Sequence, residues 1–214
     1  MIKAISLLLA LAGFVTAAQA QDAAAGQTKA AMCIGCHGIP GYQATFPQVH
    51  KVPMIAGQGA GYITAALTAY ASGERKHPTM RGIAATLSEK DMADLAAFYE
   101  QQGKGQKAAP ADAAATPPAQ VAELLTKGAC ASCHGANFSK PIDPAYPKIA
   151  GQHADYLFVA LKSYKTENQA TWGRSNGVMG GIAKQFSNAE LKALANYVGS
   201  QQGELKTIPQ SKFR

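Results

Sequence analysis

The sequence predicts an all-α fold that occurs twice in tandem within 214 residues. The first observation behind this prediction is an internal duplication, because Pro-Met-Ile-Ala-Gly-Gln at residues 53–58 recurs as Pro-Lys-Ile-Ala-Gly-Gln at residues 147–152. The second is the spacing of apolar residues, which follows the period of a helix in both copies. The third is the scarcity of strand signals. Together they indicate two helical domains of below-average size.

Each copy is expected to contain its helices in the same order. A short helix, near residues 26–34 or 120–129, leads into a motif that contains cysteine. A longer helix is predicted at residues 59–72 and 153–166, where apolar side chains recur every three or four residues on one face. These side chains are Ile63, Leu67 and Tyr70 in the first copy and Leu157, Leu161 and Tyr164 in the second.

The closing helix of each copy begins with a capping-box pattern. Ser88 precedes Asp91 by three residues, and Ser187 precedes Glu190 by three. A hydroxyl and a carboxylate at this spacing satisfy free main-chain N–H groups in the first helical turn. An apolar stripe then predicts that one face of each helix is buried. The stripe comprises Met92, Leu95, Phe98 and Tyr99 in the first copy and Leu191, Leu194, Tyr197 and Val198 in the second.

The pattern Cys-x-x-Cys-His occurs once in each copy and predicts covalent attachment of a c-type haem. Two cysteines three residues apart can form thioethers with the two vinyl groups of one porphyrin. The histidine that follows is then held beneath the iron as an axial ligand. We therefore expect two haem c groups, attached through Cys33 and Cys36 and through Cys130 and Cys133, with His37 and His134 as ligands.

A Cys-x-x-Cys pair also occurs in redox dithiols and in zinc sites. A zinc site would have to combine cysteines from two distant segments, and it would leave the adjacent histidines without a role. A thioredoxin-like dithiol would need a preceding strand and a following helix, which neither segment predicts. The chain has four cysteines, so a structural disulfide would have to consume the motifs themselves. Haem attachment is the interpretation that uses every residue of the pattern.

One methionine in each copy is a candidate for the sixth ligand of the iron. Met80 lies 43 residues after His37, and Met179 lies 45 residues after His134. Both methionines are expected in loops that precede a Gly-Ile-Ala segment and the closing helix. A thioether ligand raises the reduction potential of a haem, and it closes the iron to substrates. The predicted axial pairs are therefore His37 with Met80 and His134 with Met179.

Other interpretations stay open for these positions. Methionine is often a core residue, although Met80 and Met179 match each other across the duplication. The competing ligands are His50, His77 and His153. Because His77 is three residues from Met80, a bis-histidine site is conceivable in the first copy. None of the three histidines has a counterpart in the other copy, so a surface position is expected for each.

The first 20 residues have the pattern of a signal peptide. Lys3 provides a basic start, residues 5–15 are apolar, and Ala18-Gln19-Ala20 has the small-x-small form of a signal peptidase site. The apolar run is shorter than the ~20 residues of a membrane-spanning helix, with an uncleaved anchor as the alternative. We expect a periplasmic protein, because bacteria attach c-type haem outside the cytoplasmic membrane.

These features predict four segments. Residues 103–118 are rich in Ala, Pro, Gly and Lys and contain no aromatic residue, which is typical of a surface linker. The predicted segments are a signal peptide at 1–20, a first haem domain at 21–103, a linker at 104–119 and a second haem domain at 120–214.

Positive charge is concentrated in the second half of the chain. The full sequence has a formal net charge of +7. Residues 21–104 carry seven basic and six acidic side chains, whereas residues 105–214 carry twelve and seven. A basic surface favours docking on an acidic partner, with association rates that fall as salt rises. Nucleic acid is not expected as a partner in the periplasm, while loose association with anionic lipid is an alternative.

The chain resembles a class I c-type cytochrome duplicated in tandem, and most closely the dihaem cytochrome c4 family. The resemblance covers essentially the whole mature chain, including the Cys-x-x-Cys-His-Gly motifs, the Ile-Ala-Gly-Gln segments, Ser-Gly-Glu-Arg-Lys at 72–76 and both methionine segments. Two stretches depart from the family pattern. Three extra residues precede Pro53, and five extra residues, including Trp172, precede Met179. These insertions affect loop geometry and partner contacts rather than the ligands.

The resemblance implies roles for residues around each haem. The carbonyl groups of Pro53 and Pro147 would accept a hydrogen bond from the proximal histidines, which tunes the basicity of the ligand. A plain turn proline is the alternative. The family also implies that haem propionates face each other across the domain interface, so that electrons pass between the irons. Candidates for packing around the propionates are Tyr62, Tyr156, Gln58 and Gln152.

The expected function is that of a periplasmic electron carrier, not an enzyme. The resemblance implies transfer of one electron per haem from a quinol-oxidising cytochrome bc complex to a terminal oxidase, a cb-type haem-copper oxidase among the candidates. One alternative is the dihaem electron-accepting subunit of a periplasmic dehydrogenase, such as a sulfide-oxidising flavocytochrome. Another is a dihaem peroxidase or thiosulfate dehydrogenase. Such an enzyme needs an exchangeable sixth position, and methionine in both copies argues against it.

Overall fold

The computed structural model describes residues 21–104, 115–166 and 169–209. The predicted signal peptide at 1–20 and residues 105–114 of the predicted linker lie outside the described residues. Ten helices and four strands of two residues each occur in the described ranges. In those ranges no helix is long and apolar enough to cross a bilayer.

The two halves present their helices in the same order. The first half contains α1 (Ala23–Lys29), α2 (Ala31–His37), α3 (Ala60–Ser72), α4 (Pro78–Ala84) and α5 (Glu89–Gln101), with strands β1 (Gln43–Ala44), β2 (His50–Lys51) and β3 (Arg75–Lys76). The second half contains α6 (Ala119–Lys127), α7 (Cys130–His134), α8 (Ala154–Lys165), α9 (Gly177–Ala183) and α10 (Asn188–Ser200), with strand β4 (Gly173–Arg174). Strand β1 pairs with β2 in a hairpin, and β3 pairs with β4 across the two halves.

The prediction of an all-α fold in two copies is confirmed. Helices α3 and α8 begin and end within one residue of the predicted bounds. Both capping boxes are formed: Ser88 Oγ accepts the main-chain N–H of Asp91 at 3.2 Å, and Ser187 Oγ accepts that of Glu190 at 3.2 Å. The short first helix of each copy is instead two helices, α1 and α2 or α6 and α7, with the second carrying the haem motif.

The expectation that both methionines lie in loops is wrong. Met80 lies in α4 and Met179 lies in α9, at the same position of each helix. The reason is a side-chain cap, because the main-chain N–H of Met80 donates to His77 Nδ1 at 3.4 Å and that of Met179 donates to Asn176 Oδ1 at 2.9 Å. A cap that satisfies this N–H group starts a helix in a stretch with little helical periodicity.

The closing helices carry the core of each half. Helix α5 packs against α1 and α3, and α10 packs against α8 and α6. The predicted apolar stripes face these contacts, with Leu95 and Leu191 each only 1% exposed. Gly26 allows α1 to approach α5 closely, because a Cβ atom at this position would collide with the main-chain carbonyl of Asp94. Each haem motif is therefore attached to a helix pair that is fixed by packing.

A charged network joins α1 to α5 in the first half. The Asp94 side chain has no exposed surface, and its carboxylate accepts hydrogen bonds from Lys29 Nζ at 2.7 Å, Lys90 Nζ at 2.9 Å and the main-chain N–H of Asp22 at 3.0 Å. The Lys29 ammonium, the Asp22 N–H and the Lys90 ammonium together hold the pKa of this carboxyl well below its usual value of 3.8. The equivalent position in the second half is Ala193.

We expect Asp94→Asn to lower the melting temperature of the first half by several degrees near neutral pH. Because the folded pKa lies below the unfolded value, the carboxylate contributes stability above about pH 4 and loses it as the pH falls. The melting temperature of the unmodified protein should therefore fall more steeply than that of the variant between about pH 5 and pH 3. Glu89→Gln, at an exposed position of the same helix, is the matched control. Equal acid dependence in the protein and the Asp94 variant would contradict this assignment.

Candidate haem sites

Both Cys-x-x-Cys-His motifs are helical. Helix α2 ends at His37, and α7 runs from Cys130 to His134. Residues three apart lie on the same face of a helix, so the two thiols of each motif project from one side of the chain. The four cysteines are partly buried free thiols. This arrangement suits two thioether bonds to the edge of one porphyrin.

The proximal histidines are oriented by main-chain carbonyl groups. His37 Nδ1 lies 2.9 Å from the carbonyl oxygen of Pro53, and His134 Nδ1 lies 3.0 Å from that of Pro147. A carbonyl can only accept, so each Nδ1 carries the proton and each Nε2 keeps its lone pair. Burial lowers the pKa of both imidazoles, which favours the neutral form. A neutral imidazole with a fixed tautomer is the form that ligates iron.

The structure places the three competing histidines in different parts of the fold. His77 caps α4 and lies edge-on to the ring of Phe46, with ring centroids 6.2 Å apart. His153 is partly buried immediately before α8. His50 is only 5% exposed, so the expectation of a surface position is wrong for this residue. It is covered because the β1–β2 hairpin folds against the second half, where the His50 ring lies 6.2 Å from that of Tyr156.

The hairpin also makes polar contacts with α8. The main-chain N–H of Lys51 donates to Asp155 Oδ2 at 3.0 Å, and Lys162 Nζ donates to Gln48 Oε1 at 2.6 Å. The three extra residues before Pro53 lengthen the segment that contains this hairpin. The insertion therefore contributes directly to the interface between the two halves.

Two equivalent glutamines connect the halves. Gln58 Oε1 accepts the main-chain N–H of Lys148 and Gln58 Nε2 donates to the carbonyl of the same residue, both at 2.9 Å. Gln152 makes the corresponding pair with Met54, at 3.0 Å and 2.8 Å. Both amides are buried. The segments that contain Pro53 and Pro147 are therefore each held by a side chain of the opposite half.

Two arginines that our sequence analysis did not select meet at the centre of this interface. Arg75 and Arg174 are directly paired in the antiparallel β3–β4 ladder. Arg75 Nη1 donates to the hydroxyl of Tyr62 at 3.1 Å, and Arg174 Nη2 donates to that of Tyr156 at 3.1 Å. One signal in the sequence could have identified the pair, because each arginine precedes its candidate methionine ligand by five residues.

Within the described residues, this pair of cations has no carboxylate partner. Across residues 21–104, 115–166 and 169–209, neither guanidinium forms an ion pair with an acidic side chain. The Nε atom of Arg75 is buried and makes no hydrogen bond within the described residues. Burial alone would raise the pKa of Tyr156, but the two guanidinium groups outweigh it and bring that pKa to about 7.

Two arginine side chains without an acidic partner in the described part of the chain form a positive surface that fits an anionic group. Haem carries two propionate carboxylates, and arginine binds carboxylates through paired hydrogen bonds. The cysteine pairs, the oriented imidazoles and this positive cluster together supply what a haem needs on its thioether edge, its iron and its propionate edge. The residues present therefore fit two haem groups.

Comparison with known proteins gives the family. The profile of the Cytochrome c family matches residues 23–103 and again 118–202. The chain belongs to the dihaem cytochrome c4 family. It is 34% identical to cytochrome c4 of Azotobacter vinelandii over 212 residues, covering 91% of this chain and 96% of that protein. The crystal structure of reduced recombinant cytochrome c4 from Pseudomonas stutzeri superposes with a TM-score of 0.63 at 30% identity, covering 85% of this chain and 100% of that one.

A second kind of relative is the thiosulfate dehydrogenase electron acceptor of Stutzerimonas stutzeri, which is 34% identical over 186 residues and shares 80% of each chain. Membership of the cytochrome c4 family means that this chain carries two covalently bound haem c groups and transfers electrons rather than catalysing a reaction. Its partners are redox proteins.

Removing both glutamine bridges should loosen the two halves. In Gln58→Ala/Gln152→Ala, six main-chain groups lose a side-chain partner, four of them across the interface, at a cost of about 1–3 kcal/mol for each group that stays buried. The holoprotein variant is expected to unfold at lower denaturant concentration and to show a larger radius of gyration by small-angle X-ray scattering. Gln101→Ala, at an exposed position, is the control. The assignment fails if the double variant and the control are equally compact and equally stable.

Proposed function

We propose that this cytochrome c4 protein is a periplasmic electron carrier with two six-coordinate haems. The attachment residues are Cys33, Cys36, Cys130 and Cys133, and the axial pairs are His37 with Met80 and His134 with Met179. Pro53 and Pro147 orient the two proximal imidazoles. The observation that carries the proposal is the repetition of the same two features in both halves, an imidazole fixed by a proline carbonyl and a methionine at the same position of a capped helix.

The haem iron supplies the one-electron chemistry, and the chain controls the setting of that iron. A methionine thioether beside each iron excludes water and other ligands and favours the reduced state. The hydrogen bond from each imidazole Nδ1 to a carbonyl keeps the ligand in one tautomer through the redox cycle. The hydrogen-bonded interface holds the two halves in a fixed relation, which suits electron exchange between two haems.

The preferred partners are those of a respiratory carrier, namely a quinol-oxidising cytochrome bc complex as donor and a cb-type haem-copper oxidase as acceptor. The second candidate function is that of an electron acceptor for a periplasmic dehydrogenase. It is supported by the similarity to the thiosulfate dehydrogenase electron acceptor over 80% of the chain.

We also propose cleavage of residues 1–20 and haem domains at 21–103 and 120–214, joined by a linker at 104–119.

The test of this proposal is the near-infrared spectrum of the oxidised holoprotein with a pyridine haemochrome count. Two haems per chain and a methionine-to-ferric-iron charge-transfer band of two-haem intensity are expected. Met80→Ala and Met179→Ala should each halve the band and open one iron to added imidazole or cyanide, because each removes one thioether. Met32→Ala, at a side chain that is 51% exposed, should leave the band unchanged. A full band in either ligand variant would reject that methionine as a ligand.

The basic second half should attract anionic redox partners. Lys184 and Lys192 are exposed. Lys162 donates to Gln48 Oε1 and Lys165 donates to the carbonyl of Phe186, so we leave these two lysines unchanged. We expect Lys184→Glu/Lys192→Glu to slow the reduction of the oxidised protein by ferrocyanide about tenfold at low ionic strength. The difference in rate between the variant and the unmodified protein should shrink as salt is added.

Lys104→Glu, at an exposed lysine of the first half, is the control for a general loss of positive charge. Stopped-flow reduction across a salt series measures both effects. Equal slowing by the control and the double variant would show that overall charge, and not the second-half surface, sets the rate.

A further inference from the structure

The arginine–tyrosine cluster at the interface is built from residues that match across the duplication. Arg75 corresponds to Arg174, and Tyr62 corresponds to Tyr156. Each arginine contacts tyrosines of its own half. Arg75 donates to Tyr62 at 3.1 Å and lies 4.5 Å over the ring of Tyr70, and Arg174 donates to Tyr156 at 3.1 Å and to Tyr164 at 3.4 Å. These contacts within each half are therefore equivalent in the two repeats.

One contact breaks this symmetry. Arg75 Nη2 donates to the hydroxyl of Tyr156, in the other half, at 2.7 Å. This is the shortest hydrogen bond of the cluster, and no corresponding bond runs from Arg174 to Tyr62 in the described residues. The Tyr156 hydroxyl therefore accepts from both guanidinium groups, whereas the Tyr62 hydroxyl accepts from one.

The asymmetry has a cause in the fold of the first half. The β1–β2 hairpin places His50 against the ring of Tyr156, and it holds the neighbouring Asp155 through the main-chain N–H of Lys51. On the opposite side, the main chain of Pro144 packs closely on Gly61, at the position equivalent to Asp155. The hairpin thus contacts the Tyr156 ring from the other half, whereas the first-half contact next to Tyr62 is a main-chain contact between Pro144 and Gly61.

We propose that Tyr156 is a positioning residue that joins the two propionate-binding arginines into one unit, so that a single hydroxyl in the second half tunes both haems. This inference rests on the proposed function. The same hydroxyl fixes the Arg75 guanidinium from outside its own half, and a fixed cation near a haem favours the reduced iron.

The direction of the expected change follows from this geometry. Tyr156→Phe removes the shared acceptor, leaving Arg75 with Tyr62 and Arg174 with Tyr164 as tyrosine hydroxyl partners. Both guanidinium groups are then less well fixed, and the negative charge near both haems is less well compensated. The reduction potentials of both haems should fall. Tyr62→Phe, the matched control, removes a hydroxyl that contacts Arg75 only, so the potential of the first-half haem alone should fall.

The experiment is a spectroelectrochemical titration of the holoproteins. The two waves are assigned with Met179→His, which lowers the potential of the second-half haem because histidine replaces methionine. We expect Tyr156→Phe to lower the equilibrium constant for reduction of each haem about threefold. This corresponds to a fall of roughly 30 mV in a one-electron reduction potential. In Tyr62→Phe the second-half haem should keep its potential. A shift confined to the second-half haem in Tyr156→Phe, or no shift in either haem, would overturn the inference.

A second variant keeps the test decisive if Tyr156→Phe does not fold. Arg75→Gln lies in the first half, yet it should lower the potential of the second-half haem as well, because it removes one of the two donors to Tyr156. Arg81→Gln removes a guanidinium from an exposed position and should change neither potential. An unchanged second-half potential in Arg75→Gln would overturn the inference.

The near-infrared band and the haem count are recorded on every sample. If the unmodified protein lacks either, the proposed function fails and this inference fails with it. If both are present and the potentials do not shift in the expected pattern, only the role of Tyr156 is rejected.

Discussion

Two guanidinium groups lie side by side at the centre of this protein. Their positive charges repel each other, and the surrounding tyrosine side chains partly offset this repulsion. Arg75 and Arg174 are opposite each other in the antiparallel β3–β4 ladder that joins the two halves. Tyrosine hydroxyls and rings surround both cations, but no carboxylate of the described chain pairs with them. Such an interface is suited to bind anions, which haem propionates would supply. Propionate binding at this position would link cofactor binding and domain association through the same two side chains.

The interface combines symmetric hydrogen bonds made by two glutamines with an asymmetric contact made by the β1–β2 hairpin. Gln58 and Gln152 repeat the same pair of main-chain hydrogen bonds in both directions. The β1–β2 hairpin of the first half has no strand counterpart among the described residues of the second, and it brings His50 and Lys51 against α8. A duplicated chain can thus give its two haems different surroundings while both halves keep the same Cys-x-x-Cys-His motif.

The two halves also differ in the surface they offer to partners. Most of the excess positive charge lies in the second half, and part of it is used internally, as at Lys148, which pairs with Glu204 at 2.5 Å. Exposed lysines that remain there provide a field for acidic partners, while the first half is nearly neutral. A carrier with one basic and one neutral half can meet its electron donor and its electron acceptor through different surfaces.

The sequence by itself determined the repeat, the helical class, the capping boxes and the two haem motifs, because each depends on residues a few positions apart. Local spacing fixes a helix face or a Cys-x-x-Cys-His turn without reference to the rest of the chain. The tertiary structure alone decided the burial of His50, the glutamine bridges and the pairing of Arg75 with Arg174. These depend on residues about 90 to 106 positions apart that meet only when the halves dock. The helical placement of Met80 and Met179 was missed for a different reason. Neither segment has an apolar period that predicts a helix, and each short helix begins at a side-chain cap, His77 or Asn176.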